Sequence, residues 1–94
     1  MYATVRRYQN AAALGDAMAS RSGEVKELLT SVPGFVSYHA TRDGDTVTSV
    51  TVCNDKAGCD ESTRRARKWV QENVKSAALS PEVSDGAVFL NFSK

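Results

Sequence analysis

Polar and apolar residues alternate along Tyr2-Ala-Thr-Val-Arg-Arg-Tyr8, and then the period changes. Leu14, Met18, Val25, Leu28 and Val32 recur at spacings that sum to whole helical turns. A period of two predicts a strand over residues 2–8, and the longer period predicts a helix over residues 11–31. Gly23 falls opposite the apolar stripe, towards water, where it costs about 1 kcal/mol relative to alanine. Ser20 and Ser22 beside it leave a kink or a break open. Pro33 stops the helix, because the residue before proline is driven out of the α region, and Gly34 permits a sharp exit. Extended runs follow at 35–42 and 46–53. They are joined by Asp43-Gly44, a hairpin signal of type I′ that sets Tyr38 opposite Ser49 and His39 opposite Thr48.

Asn54 or Asp55 caps a second helix that reaches about residue 76. Its wheel gathers Cys59, Ser62, Thr63, Ala66, Trp69, Val70, Asn73, Val74 and Ala77 on one face, with the charged residues on the other. Asp60 with Arg64, Glu61 with Arg65 and Lys68 with Glu72 stand four apart, close enough to pair. Pro81 closes a short loop before a last strand over residues 86–92.

The order strand, helix, strand, strand, helix, strand is one split βαβ unit. It predicts an α+β protein, a ferredoxin-like βαββαβ sandwich with a four-stranded antiparallel sheet, and residues 1–94 form a single domain. Two helices cover one face of such a sheet, so a monomer would keep the other face polar. Here apolar residues fall on both faces. Phe89 opposes Val88, Leu90 and Phe92 in the last strand, and in the hairpin Phe35, Val50 and Val52 oppose Val36, Tyr38, Ala40 and Val47. Exposed apolar area is unfavourable by about 25 cal/mol per Å². The expected cover is the same face of a second copy about a two-fold axis, a homodimer in the form of a dimeric α/β barrel.

Composition narrows the function classes. With 24% charged and 41% apolar residues the chain is not disordered. A formal net charge of +1 gives no general attraction for nucleic acid or an anionic membrane. No apolar run approaches the roughly 20 residues of a membrane span. Arg64, Arg65, Arg67 and Lys68 are interleaved with carboxylates and read as a solvated helix face. The first eight residues lack the apolar core of a signal peptide. Cys53 and Cys59 match no zinc or redox spacing, and the single histidine, His39, completes no metal set. The chain reads as cytoplasmic and metal-free, with two small buried thiols.

Several stretches together carry a resemblance: Arg6-Arg-Tyr8, Val32-Pro-Gly-Phe-Val-Ser-Tyr38, Thr48-Ser-Val-Thr-Val52, Asp55-Lys-Ala57, Glu61-Ser62 and Lys68-Trp-Val70. The chain resembles the small dimeric α/β-barrel proteins grouped with the antibiotic biosynthesis monooxygenases, especially uncharacterised bacterial members, over nearly its whole length. The resemblance implies cofactor-free oxygenation of an electron-rich aromatic or polyketide-like small molecule, with no cofactor and no metal. Such chemistry needs a dry pocket, a base or proton relay, and donors for a developing oxyanion. The resemblance makes His39 the base and Tyr38 the donor, with Trp69, Asn73 and Ser62 as substrate-binding positions. Members that degrade haem use a histidine on a helix, which this chain lacks.

Each position also has a plainer reading. Trp69 serves as a core anchor. Ser62 and Thr63 return hydrogen bonds to a helix carbonyl one turn back. His39 is a surface or interface residue of an edge strand, and Tyr38 packs at the dimer face. A buried amide such as Asn73 needs several partners. The alternative to an enzyme is a non-catalytic homodimer that binds a small apolar ligand or is purely structural. RNA recognition is set aside because residues 46–53 hold no aromatic platform. An acylphosphatase would need a glycine-rich loop after the first strand, and a heavy-metal carrier a Cys-x-x-Cys.

Overall fold

In the computed structural model, which describes residues 1–74 and 80–94, the sheet is organised around its first strand. Strand β1 (Tyr2–Tyr8) lies between β3 (Thr46–Cys53) and β4 (Glu82–Ala87), and β2 (Phe35–Asp43) pairs with β3. The order is β2-β3-β1-β4, antiparallel throughout. This is the ferredoxin-like arrangement that the element order predicts. The sheet is open, with β2 and β4 as its two edges, so the α/β barrel expected from the sequence is not formed. Four strands in this order leave β2 and β4 on opposite sides, and closure into a barrel requires a larger ring of tilted strands.

One face of the sheet is covered by α1 (Ala12–Ser20), α2 (Ser22–Thr30) and α3 (Lys56–Asn73). The single helix expected over residues 11–31 is two. Arg21 adopts φ −119° and ψ 34°, outside the helical region, and ends one helix while starting the next. The cause is local: Ser20, Ser22 and Gly23 are weak helix formers, and the Ser20 hydroxyl bonds back to the Ala17 carbonyl at 3.2 Å. Asp55 caps α3 by accepting from the Gly58 amide at 2.9 Å. A Cβ at Gly58 would lie 2.9 Å from the Cys53 Cβ and 3.0 Å from the Pro33 carbonyl oxygen, so only glycine lets α3 start this close to β3. The helix, expected to reach residue 76, ends at Asn73, where Val74 turns extended at φ −124° and ψ 101°. Ala77, expected on its buried face, lies outside the described residues.

The hairpin differs from expectation by one residue. Asp43 pairs with Thr46, leaving Gly44-Asp45 as the loop, and Tyr38 faces Thr51 while His39 faces Val50. Gly44 has φ +59° and Asp45 is not left-handed, the pattern of a type II′ turn with glycine first rather than type I′. The last strand is also displaced. It covers Glu82–Ala87, its ladder with β1 ends at the Tyr2–Ala87 pair, and Val88 adds one bond to the Met1 carbonyl at 3.0 Å. Phe89 and Phe92 therefore follow the sheet and are 89% and 87% exposed.

The core lies between sheet and helices. Tyr8, Ala11, Leu14, Val47, Trp69 and Val74 form its main cluster, and Val32, Cys53 and Cys59 a second one at the opposite end. Between them runs a polar strip. Thr4 and Arg6 of β1, Ser49 and Thr51 of β3 and Ser62 of α3 are all buried. Ala3, Val5, Val50 and Val52 point the other way, onto the face the helices leave uncovered.

Candidate functional site

Alternation along β2 decides which side chains meet. Tyr38, Ala40 and Arg42 face the helices, as their partners Thr51, Ser49 and Val47 are buried on that side, and His39 faces the other way. Between α1, α2 and β2 lies a groove of about 550 Å³, lined by Met18, Val25, Leu29, Phe35, Tyr38 and Val47 among others. That volume suits a small molecule. Arg42 bridges one end, donating to the Ala12 carbonyl at 3.2 Å and pairing with Asp16 at 2.9 Å. No histidine or carboxylate lines the groove among the described residues.

Tyr38 and Val47 also border an inner cavity of about 30 Å³, walled by Arg6, Tyr8, Ser49, Leu14 and Trp69. A space of this size holds a water or one oxygen substituent, not a ring. Burial raises the pKa of the Tyr38 phenol above 10.0, and Arg6 and the Ser49 side chain only partly offset it. Tyr38 is therefore a neutral hydrogen-bond donor near pH 7. The Tyr8 phenol is raised for the same reason, with the charges of Arg6 and Arg67 opposing.

Arg6 is the unusual member. It is 2% exposed, and its Nη1 and Nη2 donate to Thr63 Oγ1 at 2.9 Å and Thr51 Oγ1 at 2.8 Å. No carboxylate lies within ion-pair distance of it among the described residues.

The five residues named from the sequence are dispersed. Tyr38 and Trp69 line the inner cavity, and Tyr38 the groove as well. Trp69 is 8% exposed, belongs to the main core, and donates from Nε1 to Glu24 Oε1 at 3.3 Å. Asn73 donates to the Trp69 carbonyl at 2.9 Å and accepts from the Arg21 guanidinium, which ties α3 to the break between α1 and α2. Ser62 is wholly buried and returns its hydroxyl to the Cys59 carbonyl at 2.7 Å. His39 is exposed on the uncovered face, opposite Val50. His39 and Tyr38 thus do not share a cavity.

No protein-family model matches the chain, and no curated protein matches it. Solved structures do. A protein of unknown function from Nitrosomonas europaea, NE2512, superposes with a TM-score of 0.73 at 19% identity, covering 99% of this chain and 93% of that one. A dimeric ferredoxin-like protein from an uncultured marine organism gives 0.70 at 12% identity, over the whole of both chains. The chain has their fold. SnoaB, a cofactor-independent oxygenase from Streptomyces nogalater, gives 0.67 at 13% identity and covers 99% of this chain and 97% of its own. At these identities the likeness is one of architecture, the small ferredoxin-like fold.

Arg6, Thr63 and the groove residues Met18, Val25, Leu29 and Phe35 were not singled out as site residues from the sequence. The signal for Arg6 was its parity with Thr4 and Tyr8 on an alternating strand, which places all three on one face.

Proposed function

We propose that the protein is a cofactor-independent oxygenase acting on an aromatic or polyketide-like small molecule, and that it works as a homodimer. The observation that carries this reading is the apolar groove lined in part by Tyr38, which also walls an inner cavity just large enough for an oxygen substituent. The apolar body of a substrate occupies the groove, and its phenol or carbonyl oxygen enters beside Tyr38. Tyr38 donates a hydrogen bond to that oxygen, and the Arg6 charge stabilises the negative charge that develops there. The fold shared with a cofactor-independent oxygenase supports the reading.

Lys26 lines the groove but no histidine or carboxylate does among the described residues, so the substrate is itself acidic. It is a methylene between aryl rings conjugated to a carbonyl, whose proton passes to solvent while the charge collects on the oxygen beside the Arg6 guanidinium. Its carbanion passes an electron to oxygen, the radicals combine to a hydroperoxide, and loss of water leaves a ketone. The methylene is oxidised by four electrons and oxygen reduced to one ketone oxygen and one water, so no external reductant enters. Val5, Val50 and Val52 on the uncovered face, with exposed Phe89, Leu90 and Phe92 beyond β4, support pairing of two copies, and His39 then belongs to that contact.

An oxygen electrode with an anthrone-type substrate, in chelator-treated buffer without flavin or haem, tests the activity. Uptake above the protein-free rate is expected. The groove lining holds no histidine or carboxylate among the described residues, which favours a second reading, a non-catalytic ligand binder. It predicts saturable binding of the same compound with no uptake above the blank.

A further inference from the structure

On the side of the molecule away from the groove, a cleft of about 410 Å³ opens between α3, β1 and β4. Arg6, Tyr8, Thr63, Arg67, Gln71 and Ser80 supply its polar lining, with Val70 and Val83 among the apolar walls. No carboxylate lines it. Every aspartate and glutamate of the chain is among the described residues, and none pairs with Arg6. An ion buried to 98% without a counter-ion is unfavourable, because the charge has lost water and gained no opposite charge.

The donors around this cleft outnumber the acceptors. Two of the five Arg6 N–H groups are occupied by threonine hydroxyls. Thr63 Oγ1 accepts from Arg6, so its own proton is left to donate elsewhere. Arg67 stands at the exposed rim, near enough that the Tyr8 phenol feels both guanidinium charges. A site made of one buried cation, one rim cation and a hydroxyl donor lacks a negatively charged acceptor.

We infer that this cleft binds the oxyanion group of a small molecule, a carboxylate or a phosphate, through Arg6, Arg67 and Thr63. The bound anion is the counter-ion that Arg6 lacks, and the volume limits the ligand to a small metabolite rather than a polymer backbone. Arg67 captures the anion from solvent, and Arg6 with Thr63 fixes it. The cleft and the inner cavity share Arg6, but the inference does not rest on the oxygenase reading, as the anion is read by stability and not by oxygen uptake.

Thermal melts of the full chain in sodium benzoate and in sodium phosphate, each against sodium chloride at equal ionic strength, test it. At least one anion should raise Tm above the chloride control in a saturable way, and the more effective one distinguishes carboxylate from phosphate. Arg67→Gln, at an exposed position, should keep the chloride Tm and weaken the apparent affinity about tenfold, the loss of one charge-assisted hydrogen bond. Arg6→Met should abolish the anion-dependent shift; if that variant does not fold, Arg67→Gln decides. Equal Tm values in all three salts overturn the inference, as does an anion shift that Arg67→Gln leaves unchanged.

Discussion

Arg6 Nη1 and Thr63 Oγ1, 57 positions apart in the chain, meet at 2.9 Å and join the central strand to α3. Thr63→Val keeps the shape of the side chain and removes the acceptor, leaving a buried guanidinium short of a partner. A loss of about 1–3 kcal/mol is expected. Thermal melts should show a fall of at least about 4 °C in a domain of this size. An unchanged Tm would mean that this contact contributes nothing to stability.

One turn of the pleat away, the opposite sign is expected. Thr4 Oγ1 is buried with no hydrogen-bond partner among the described residues, so its hydroxyl is desolvated without return. Thr4→Val should be neutral or should stabilise the fold by about 1 kcal/mol, read from urea unfolding at constant m value. A clear loss of stability would show that the hydroxyl has a partner in solution.

Glu61 accepts two bonds from Arg64, both at 2.7 Å, and one from Arg65 at 2.9 Å, and these three hold its carboxyl down at about 2. A carboxyl depressed in the folded state binds protons less readily than in the unfolded chain. Its contribution is therefore complete above the ordinary carboxylate range near 4.5 and is lost as pH falls through about 2. Stability of the wild type against pH should fall more steeply over that window than that of Glu61→Gln. Parallel curves would contradict the assignment.

Cys53 and Cys59 are both fully buried free thiols, and Cys59 Sγ approaches the Tyr2 carbonyl oxygen at 3.3 Å. Burial, with the neighbouring Cys59 adding to it, pushes the Cys53 thiol up to about 11, so little thiolate forms near neutrality. A disulfide reagent should titrate two thiols after unfolding without reductant, and react slowly with the folded protein. Fewer than two thiols on unfolding, or stoichiometric zinc in elemental analysis, would contradict this.

Where period and burial agree, the fold was legible in the chain. In β3 buried and half-buried residues alternate without exception, and α3 separates its apolar and charged faces as its wheel requires. The break at Arg21 was suggested by the weak helix formers around it but is held by a contact with Asn73 that only the tertiary structure supplies. The last strand was misplaced for a physical reason. Residues 88–92 have the β-forming side chains, whereas Glu82–Ala87 is polar and contains glycine, and its pairing is dictated by register with β1 rather than by propensity.

The site was legible in part. Adjacent strand residues point to opposite faces, so Tyr38 on the helix side requires His39 on the uncovered side. Ser62 followed the plainer expectation, a bond to its own helix, while neighbouring Thr63 reached across to Arg6. A buried arginine on a strand is hard to foresee, because arginine normally keeps its charge in water. Its burial here follows from hydroxyls on β3 and α3 that lie far away in sequence.

The proposed oxygen transfer beside Tyr38 is read by turning over an anthrone-type substrate under heavy-isotope oxygen, without metal, flavin or haem, and weighing the trapped product. The wild type should place one labelled atom in the new carbonyl faster than the protein-free blank. Tyr38→Phe, which keeps the ring and removes the donor, should lower kcat about 100-fold with little change in Tm. Product that carries no label, or a Tyr38→Phe variant as fast as the wild type, would contradict it.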